Sequence, residues 1–214
     1  MRIFLKKDKA RVFTLLLFCF LSIRPTDSGA QKISPSDIAS LGIRYLDHLE
    51  YSFPESQLPP ITEKNPRPSY KPESYIDDIK NKRTANVYIK YINDKCGYGV
   101  FAAQDIPARA IIAEYTGIVR RRDFSKVKNA YEYAWGFPPP TKFLIDGKDA
   151  ANFTRFINHN DDHNVEMIYI PVDGRWHLAY VAKKLIKKDQ QLLANYGAPY
   201  WKGRGCKPDN LAVK

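Results

Sequence analysis

Short apolar runs recur along the second half of the chain, separated by Pro, Gly and polar residues. Runs of this length that are rich in Val, Ile, Tyr and Phe are typical of β-strands. The predicted strands cover residues 87–92, 100–103, 110–115, 142–146, 165–172 and 176–182. Many short strands and few helices predict a mostly β domain over residues 84–205, followed by a tail over residues 206–214.

The segment before this domain begins with a predicted helix. Ser34 can cap it, Pro35 suits its first turn, and Asp37 adds an acidic side chain there. The apolar residues that then share one helical face are Ile38, Leu41, Tyr45, Leu46 and Leu49. We expect this face to pack on the main domain, although it could instead contact another chain.

A proline-rich stretch follows the predicted helix. Residues 54–72 contain six prolines in nineteen positions, with Ser, Glu and Lys between them. Such a composition is extended and has little means of forming its own core. Residues 31–83 are therefore predicted to be a short helix and a Pro-rich arm or linker.

The first thirty residues resemble a secretory signal. Residues 1–11 are basic, residues 12–23 are almost all apolar, and Ser28, Gly29 and Ala30 offer small residues for cleavage. The apolar run is too short to span a bilayer, which needs about 20 residues. Export is the favoured interpretation. The alternatives are a membrane-surface segment that stays attached, and a location in the cytoplasm or nucleus.

Composition predicts a folded and basic protein. The 214 residues are 44% hydrophobic and carry a net charge of +11. Residues 1–30 hold six Lys/Arg and two Asp/Glu, so the remainder carries 28 minus 21, or +7. This favours acidic surroundings. It does not predict direct nucleic-acid binding, because no helix-turn-helix or zinc-finger pattern is present.

The cysteines and histidines do not predict a metal site. The three cysteines, Cys19, Cys96 and Cys206, form no Cys-x-x-Cys pair, and the four histidines lack the spacing of zinc ligands. His159 and His163 are four residues apart, but the residues between them are typical of a loop. No structural metal is expected.

Three blocks could carry chemistry, and each also has a purely structural explanation. Gly97-Tyr98-Gly99 could let a ligand approach the backbone, or could form a hairpin corner. Asn158-His159 could bind a ligand, or could lie in a turn. Tyr196 follows a predicted buried strand, where a hydroxyl usually finds a partner.

Taken together and in order, the blocks resemble the SET-domain protein lysine methyltransferases over residues 84–204. The blocks are Gly97-Tyr98-Gly99-Val100-Phe101-Ala102, Glu114-Tyr115-Thr116-Gly117, Ile145-Asp146, Arg155-Phe156-Ile157-Asn158-His159 and the segment 192–197. The resemblance implies a β-clip-like fold of small curved sheets in which the C-terminal strand threads a loop as a pseudoknot. It also implies that S-adenosyl-L-methionine binds on one face and that the substrate lysine enters from the other.

The same resemblance assigns roles to individual residues. Tyr196 corresponds to the catalytic tyrosine. The residues assigned to the cofactor are Gly97, Tyr98, Gly99, Tyr133, Asn158, His159 and Trp201. The glycine block would hold the amino-acid end of the cofactor, and Trp201 would pack near the adenine. From the residues alone, Tyr200 and Trp201 are equally compatible with core packing and with a lid over a flat ring.

The chain departs from the family pattern in three places. Asn160 and Asp161 stand where many members have Ser-Cys, and no cysteine-rich segment follows Tyr196, so no zinc-bound lid is expected. Asn195 stands where an acid usually precedes the catalytic tyrosine. Ala194 stands where a bulky ring is common, which leaves the number of methyl groups open.

These departures leave Tyr196 and Asn158-His159 in place, so we expect an enzyme that methylates lysine in a basic protein segment, such as a histone or nucleosome. The competing hypotheses are an inactive SET-fold binding module and a basic protein that associates with chromatin or nucleic acid. A signal-like segment before a SET domain also raises the hypothesis of a microbial factor that is exported to act on host chromatin.

Overall fold

The computed structural model describes residues 33–61, 71–94, 96–123, 130–135 and 142–202. The predicted signal-like segment 1–30, part of the Pro-rich arm (62–70) and the tail 206–214 lie outside the described residues. The α-helices are α1 (Pro35–Ser40), α2 (Ile76–Lys80) and α3 (Ala198–Lys202). None of the described helices is long and apolar enough to cross a membrane.

The strands are short and are distributed over several small sheets. In chain order they are β1 (Arg44–Tyr45), β2 (Glu50–Tyr51), β3 (Val87–Asn93), β4 (Gly97–Ala102), β5 (Ile111–Glu114), β6 (Ile118–Arg121), β7 (Glu132–Trp135), β8 (Phe143–Asp146), β9 (Ala150–Ala151), β10 (Asn158–His159), β11 (Val165–Val172), β12 (Arg175–Ala182) and β13 (Leu193–Ala194). The mostly β fold predicted from the sequence is confirmed.

The largest sheet has the order β10-β13-β11-β12-β5. Its centre is the antiparallel β11–β12 hairpin, in which Val165 pairs with Ala182 and Val172 pairs with Arg175. The hairpin turns at Asp173 and Gly174, whose φ angles of 47° and 74° are both positive. Two such residues match the twist of the flanking strands, which is why this turn closes the hairpin tightly.

The other sheets join distant parts of the chain. One has the order β2-β6-β8-β7, and the pairs β1–β9 and β3–β4 form two-stranded sheets. Both β1 and β2 pair in parallel with their partners. The side-chain hydroxyl of Thr116 donates to the carbonyl oxygen of Leu46 at 2.9 Å. The segment 44–51 is thereby built into the sheets of the main domain.

The predicted helical face is correct only for its first turn. The side chain of Ser34 accepts from the backbone N–H of Asp37, and the side chain of Asp37 accepts from the N–H of Ser34, so the cap is present. The helix ends at Ser40, and Gly42 follows with a φ of +75°, which leaves the helical region. Tyr45 therefore lies in a strand. The helical prediction beyond Leu41 is wrong.

Candidate functional site

The Asn-His block and the last strand lie side by side. Strand β10 pairs in parallel with β13, which places Asn158 opposite Leu193 and His159 opposite Ala194. The backbone N–H of Asn160 donates to the carbonyl of Ala194 at 3.0 Å. Because Tyr196 follows β13 by two residues, this pairing brings it to the histidine, as the motif order predicted.

The glycine block meets Asn158 from the other side. The side-chain Nδ2 of Asn158 donates to the carbonyl oxygen of Tyr98 at 3.0 Å. Gly97 has a φ of +65°, a conformation that favours glycine. A Cβ on Gly99 would lie 2.6 Å from Cδ1 of Ile92, so a side chain at that position would require its neighbours to shift. The two glycines thus have different physical reasons to be glycine.

Tyr196 is held at both its backbone and its hydroxyl. Its hydroxyl donates to the carbonyl oxygen of Ile157 at 2.7 Å, and its backbone N–H donates to Nδ1 of His159 at 3.1 Å. Burial raises the pKa of Tyr196 well above its ordinary value, and the nearby Tyr133 and Tyr200 raise it further. The hydroxyl therefore stays protonated at neutral pH, and it acts through hydrogen bonds instead of as a phenolate base.

Three more tyrosines extend from this position into the core, and with Tyr196 they form the tyrosine cluster (Tyr115, Tyr133, Tyr180 and Tyr196). The hydroxyl oxygens of Tyr133 and Tyr180 are 3.0 Å apart, and the ring centroids of Tyr115 and Tyr133 are 4.9 Å apart. The Tyr115 hydroxyl donates to the carbonyl of Tyr131 at 2.8 Å. Burial raises the pKa of Tyr133 to about 12. Tyr115 and Tyr180 were missed by the sequence prediction as members of the site.

His159 presents one nitrogen to Tyr196, and its other nitrogen has no hydrogen-bond partner among the described residues. Because Nδ1 accepts from the Tyr196 N–H, the neutral ring carries its proton on Nε2. Nε2 is buried and makes no hydrogen bond within the described residues; the nearest carboxylate oxygen, on Asp161, is 3.6 Å away. Burial lowers the pKa of His159, and Asp161 and the Ala194 carbonyl oppose this only in part.

Trp201 packs on the same histidine. Its ring centroid is 4.8 Å from that of His159, and its plane is within 13° of the Tyr196 ring at a centroid distance of 6.1 Å. The indole Nε1 is buried and has no hydrogen-bond partner among the described residues. Trp201 therefore lies beside His159, with one polar atom that has no partner among the described residues.

Gln191 completes this side of the site, and the sequence prediction did not single it out. Its side chain is 8% exposed, and both of its amide atoms lack hydrogen-bond partners within the described residues. We refer to the residues Gly99, Asn158, His159, Gln191 and Trp201 as the polar corner. No sequence signal identifies Gln191, because a glutamine before a short strand is ordinary.

Arg155 fastens the Asn-His block to the turn after β8. Its Nε and Nη2 atoms donate to the carbonyls of Gly147 at 2.8 Å and Lys148 at 3.0 Å. Its guanidinium carbon lies 3.9 Å from the ring centroid of Tyr131. A buried guanidinium needs such partners, since an unpaired buried charge is costly. Arg155 thus fixes the start of the block that carries Asn158 and His159.

Comparisons with known proteins agree with this geometry. The family model of the SET domain matches residues 97–197. Histone-lysine N-methyltransferase EZH2 of Chaetomium thermophilum is 31% identical over 115 residues, and the match covers 49% of this chain and 8% of that protein. Histone-lysine N-methyltransferase SETD2 of Homo sapiens is 26% identical over 126 residues, and the match covers 55% of this chain and 5% of that protein. The chain thus spans less than a tenth of the length of either relative.

Solved structures show the same fold. ATXR5 in complex with a methylated histone H3.1 superposes with a TM-score of 0.57 at 19% identity, over 76% of this chain and 85% of that one. The chain therefore contains a SET domain, which confirms the family predicted from its motifs.

Proposed function

We propose that this chain transfers methyl groups from S-adenosylmethionine to lysine side chains of a protein, with a basic segment such as a histone tail as substrate. The observation that carries the proposal is the position of Tyr196. Its hydroxyl is fixed on the Ile157 carbonyl, at the junction of the tyrosine cluster and the polar corner. The named relatives, both histone-lysine N-methyltransferases, support the activity and the substrate class.

The polar corner fits the proposed cofactor. Gly99 presents its backbone without a side chain beside Gln191 and Asn158, and His159, Gln191 and Trp201 each hold a buried polar atom without a hydrogen bond among the described residues. A bound polar ligand would remove the cost of leaving such atoms unsatisfied. Asn158 and the Tyr98 carbonyl would hold its amino-acid end, and Trp201 would pack on its adenine. When bound, the cofactor supplies a methyl group on a cationic sulfur.

The tyrosine cluster would orient the lysine. Because the Tyr196 hydroxyl donates its proton to Ile157, its oxygen remains free to accept a hydrogen bond from the lysine amine. This would direct the nitrogen lone pair toward the methyl group, and alignment of this kind can supply about 7–11 kcal/mol. The amine must arrive neutral, and a neighbouring sulfonium cation lowers its pKa from about 10.4.

Three acidic residues follow His159 in the chain, Asp161, Asp162 and Glu166, and they are not equally available to a basic peptide. The carboxylate of Asp162 pairs with the Lys184 ammonium at 3.0 Å, and that of Glu166 lies 3.2 Å from Nε2 of His163. The side chain of Asp161 is 68% exposed, and its carboxylate lies 3.6 Å from Nε2 of His159, a ring that burial favours in the neutral form. We propose that Asp161 contributes most to the attraction of a basic segment.

Labelled methyl transfer would test the activity. The full chain, incubated with radiolabelled S-adenosylmethionine and nucleosomes, should label a histone. The Tyr196→Phe variant should lose about 100-fold or more of this rate, as when other transition-state hydrogen bonds are removed. Tyr75→Phe is the matched control, because the Tyr75 hydroxyl also donates to a backbone carbonyl, that of Arg109 at 2.9 Å, in a separate hydrophobic cluster.

The outcomes separate the parts of the proposal. Loss of labelling in Tyr196→Phe alone supports the assigned role. Equal labelling in both variants contradicts that role. If the wild-type protein binds the cofactor yet labels no histone, the proposed substrate class is wrong.

A further inference from the structure

The side-chain amide of Gln191 is buried and makes no hydrogen bond within the part of the chain that the structure describes. The residue is 8% exposed, and neither Oε1 nor Nε2 has a hydrogen-bond partner within the described residues. A primary amide offers two donors and an acceptor oxygen, and burying it unpaired is destabilising. Nearly all buried polar groups in proteins are paired, so an orphaned amide beside a candidate site points to a missing ligand.

The backbone of Gln191 is rigidly held. Its carbonyl oxygen accepts from Nδ2 of Asn164 at 2.8 Å, and the next residue, Leu192, donates its N–H to the Val100 carbonyl at 2.8 Å. Gln191 also forms an isolated antiparallel bridge with Phe101 on β4. The side chain therefore starts from a fixed point of the backbone.

The amide of Gln191 lies beside Gly99 of the glycine block. The position that a Cβ would take on Gly99 is 2.7 Å from Nε2 of Gln191 and 3.3 Å from Nδ2 of Asn158. Two primary amides thus converge on one residue of the glycine block. The Asn158 amide already donates to the Tyr98 carbonyl, whereas the Gln191 amide has no partner.

We propose that Gln191 binds the α-amino-acid end of the cofactor, an inference that rests on the proposed function. A zwitterionic amino acid carries an ammonium donor and a carboxylate acceptor. The Oε1 atom of Gln191 would accept from the ammonium group, and its Nε2 would donate to the carboxylate. A neutral amide can serve both charges, whereas an acidic or basic side chain would repel one of them. Gln191 thereby joins Asn158 in recognising this end of the ligand.

Two ligands and one substitution test the inference. Calorimetry would measure the binding of S-adenosylmethionine and of 5′-methylthioadenosine, which lacks the amino-acid end, to the full chain. Gln191→Met keeps the side-chain length but removes both hydrogen-bonding groups. The substitution should weaken the binding of S-adenosylmethionine at least tenfold, because one lost hydrogen bond of this kind is worth about a factor of ten in affinity. The affinity for 5′-methylthioadenosine should stay within about twofold of the wild-type value.

Stability provides a second and independent readout. Without ligand, Gln191→Met should raise the melting temperature, because it replaces an unsatisfied amide by an apolar group. Thr84→Val is the matched control, since the Thr84 hydroxyl is also buried without a partner among the described residues, in a groove lined by Lys82 and Arg83. It should raise the melting temperature without changing either affinity. If Gln191→Met does not fold, Gln191→Glu takes its place. Its negative charge should weaken the binding of S-adenosylmethionine by repelling the carboxylate of the ligand, and it should leave the binding of 5′-methylthioadenosine unchanged.

Each contrary outcome has a distinct meaning. Unchanged affinity for S-adenosylmethionine in Gln191→Met, with normal wild-type binding, overturns the inference alone. Equal weakening of both ligands also overturns it, because Gln191 would then only support the shape of the pocket. Failure of the wild-type chain to bind either ligand overturns the proposed function and this inference with it.

Discussion

The tyrosine cluster and the polar corner meet at Tyr196, yet they satisfy their polar groups differently. In the cluster, Tyr115 and Tyr196 donate to backbone carbonyls, and the hydroxyls of Tyr133 and Tyr180 pair with each other. In the polar corner, His159, Gln191 and Trp201 retain buried atoms without hydrogen bonds within the described residues. The first region is complete as folded. The second retains buried polar atoms that the proposed cofactor would satisfy.

Adding a methyl group to the cluster side should have the largest effect on stability. In Gly147→Ala the new Cβ would lie 2.8 Å from the Tyr115 hydroxyl oxygen. Tyr115 is 2% exposed and is held by the Tyr131 carbonyl, so it has little room to move. We expect a loss of about 1–3 kcal/mol in the free energy of unfolding, as for other overpacked cores. Urea denaturation would measure this loss. An unchanged midpoint would show that Tyr115 has room to move and that the cluster is not closely packed.

The same substitution in the polar corner should affect binding more than folding. In Gly99→Ala the new Cβ would meet the ends of flexible side chains, Cδ1 of Ile92 and Nε2 of Gln191. These ends can shift at a smaller cost than Tyr115 can. We expect the Kd for S-adenosylmethionine to rise about tenfold, which is about 1.4 kcal/mol. The comparison fails if Gly99→Ala destabilises the fold as much as Gly147→Ala does and leaves the Kd unchanged.

Alkaline pH should lower the stability of the fold through the tyrosine cluster. The effect of each tyrosine should be smaller than that of the two substitutions above. Burial raises the pKa of Tyr133 to about 12 and the pKa values of Tyr115, Tyr180 and Tyr196 well above the ordinary value. Unfolded tyrosines titrate near pH 10, so they lose protons first. The stabilisation is thus fully present below about pH 10 and is lost as the pH rises toward about 12.

Urea unfolding between pH 8 and pH 11 would measure this dependence. Tyr133→Phe should show a shallower decline above about pH 10, because one of the shifted groups is gone. Two results would show that these tyrosines do not set the alkaline limit of stability. One is a free energy of unfolding that begins to fall well below pH 9, and the other is an equally steep fall in Tyr133→Phe and the wild type.

The sequence predicted the longer strands better than it predicted the short strands and the end of the first helix. The short apolar runs 165–172 and 176–182 predicted the two strands of the central hairpin to within one residue of their bounds. The two-residue strands β1 and β2 are too short for any periodicity, and their partners lie far along the chain. The positive φ of Gly42 ended a helix that the apolar spacing of Tyr45, Leu46 and Leu49 had extended.

The site residues also divide into those that sequence motifs single out and those that only the structure brings to the site. Tyr196, Asn158 and His159 were found because they stand in a recognisable order of motifs. The Ile157 carbonyl that holds Tyr196 is a backbone group, which residue identity does not mark. Tyr180 reaches the site through its place on β12, and Gln191 through its bridge to Phe101 on β4, and both arrangements depend on long-range pairing.

The most direct test of the central claim is calorimetric titration of the full chain with S-adenosylmethionine. The polar corner predicts that one molecule binds per chain, with a Kd between about 1 µM and 1 mM, the usual range for enzyme substrates. Binding should also raise the melting temperature, because the ligand stabilises only the folded state. Absence of binding at about 1 mM would contradict the account, because the unsatisfied atoms of His159, Gln191 and Trp201 would then have no cofactor to meet.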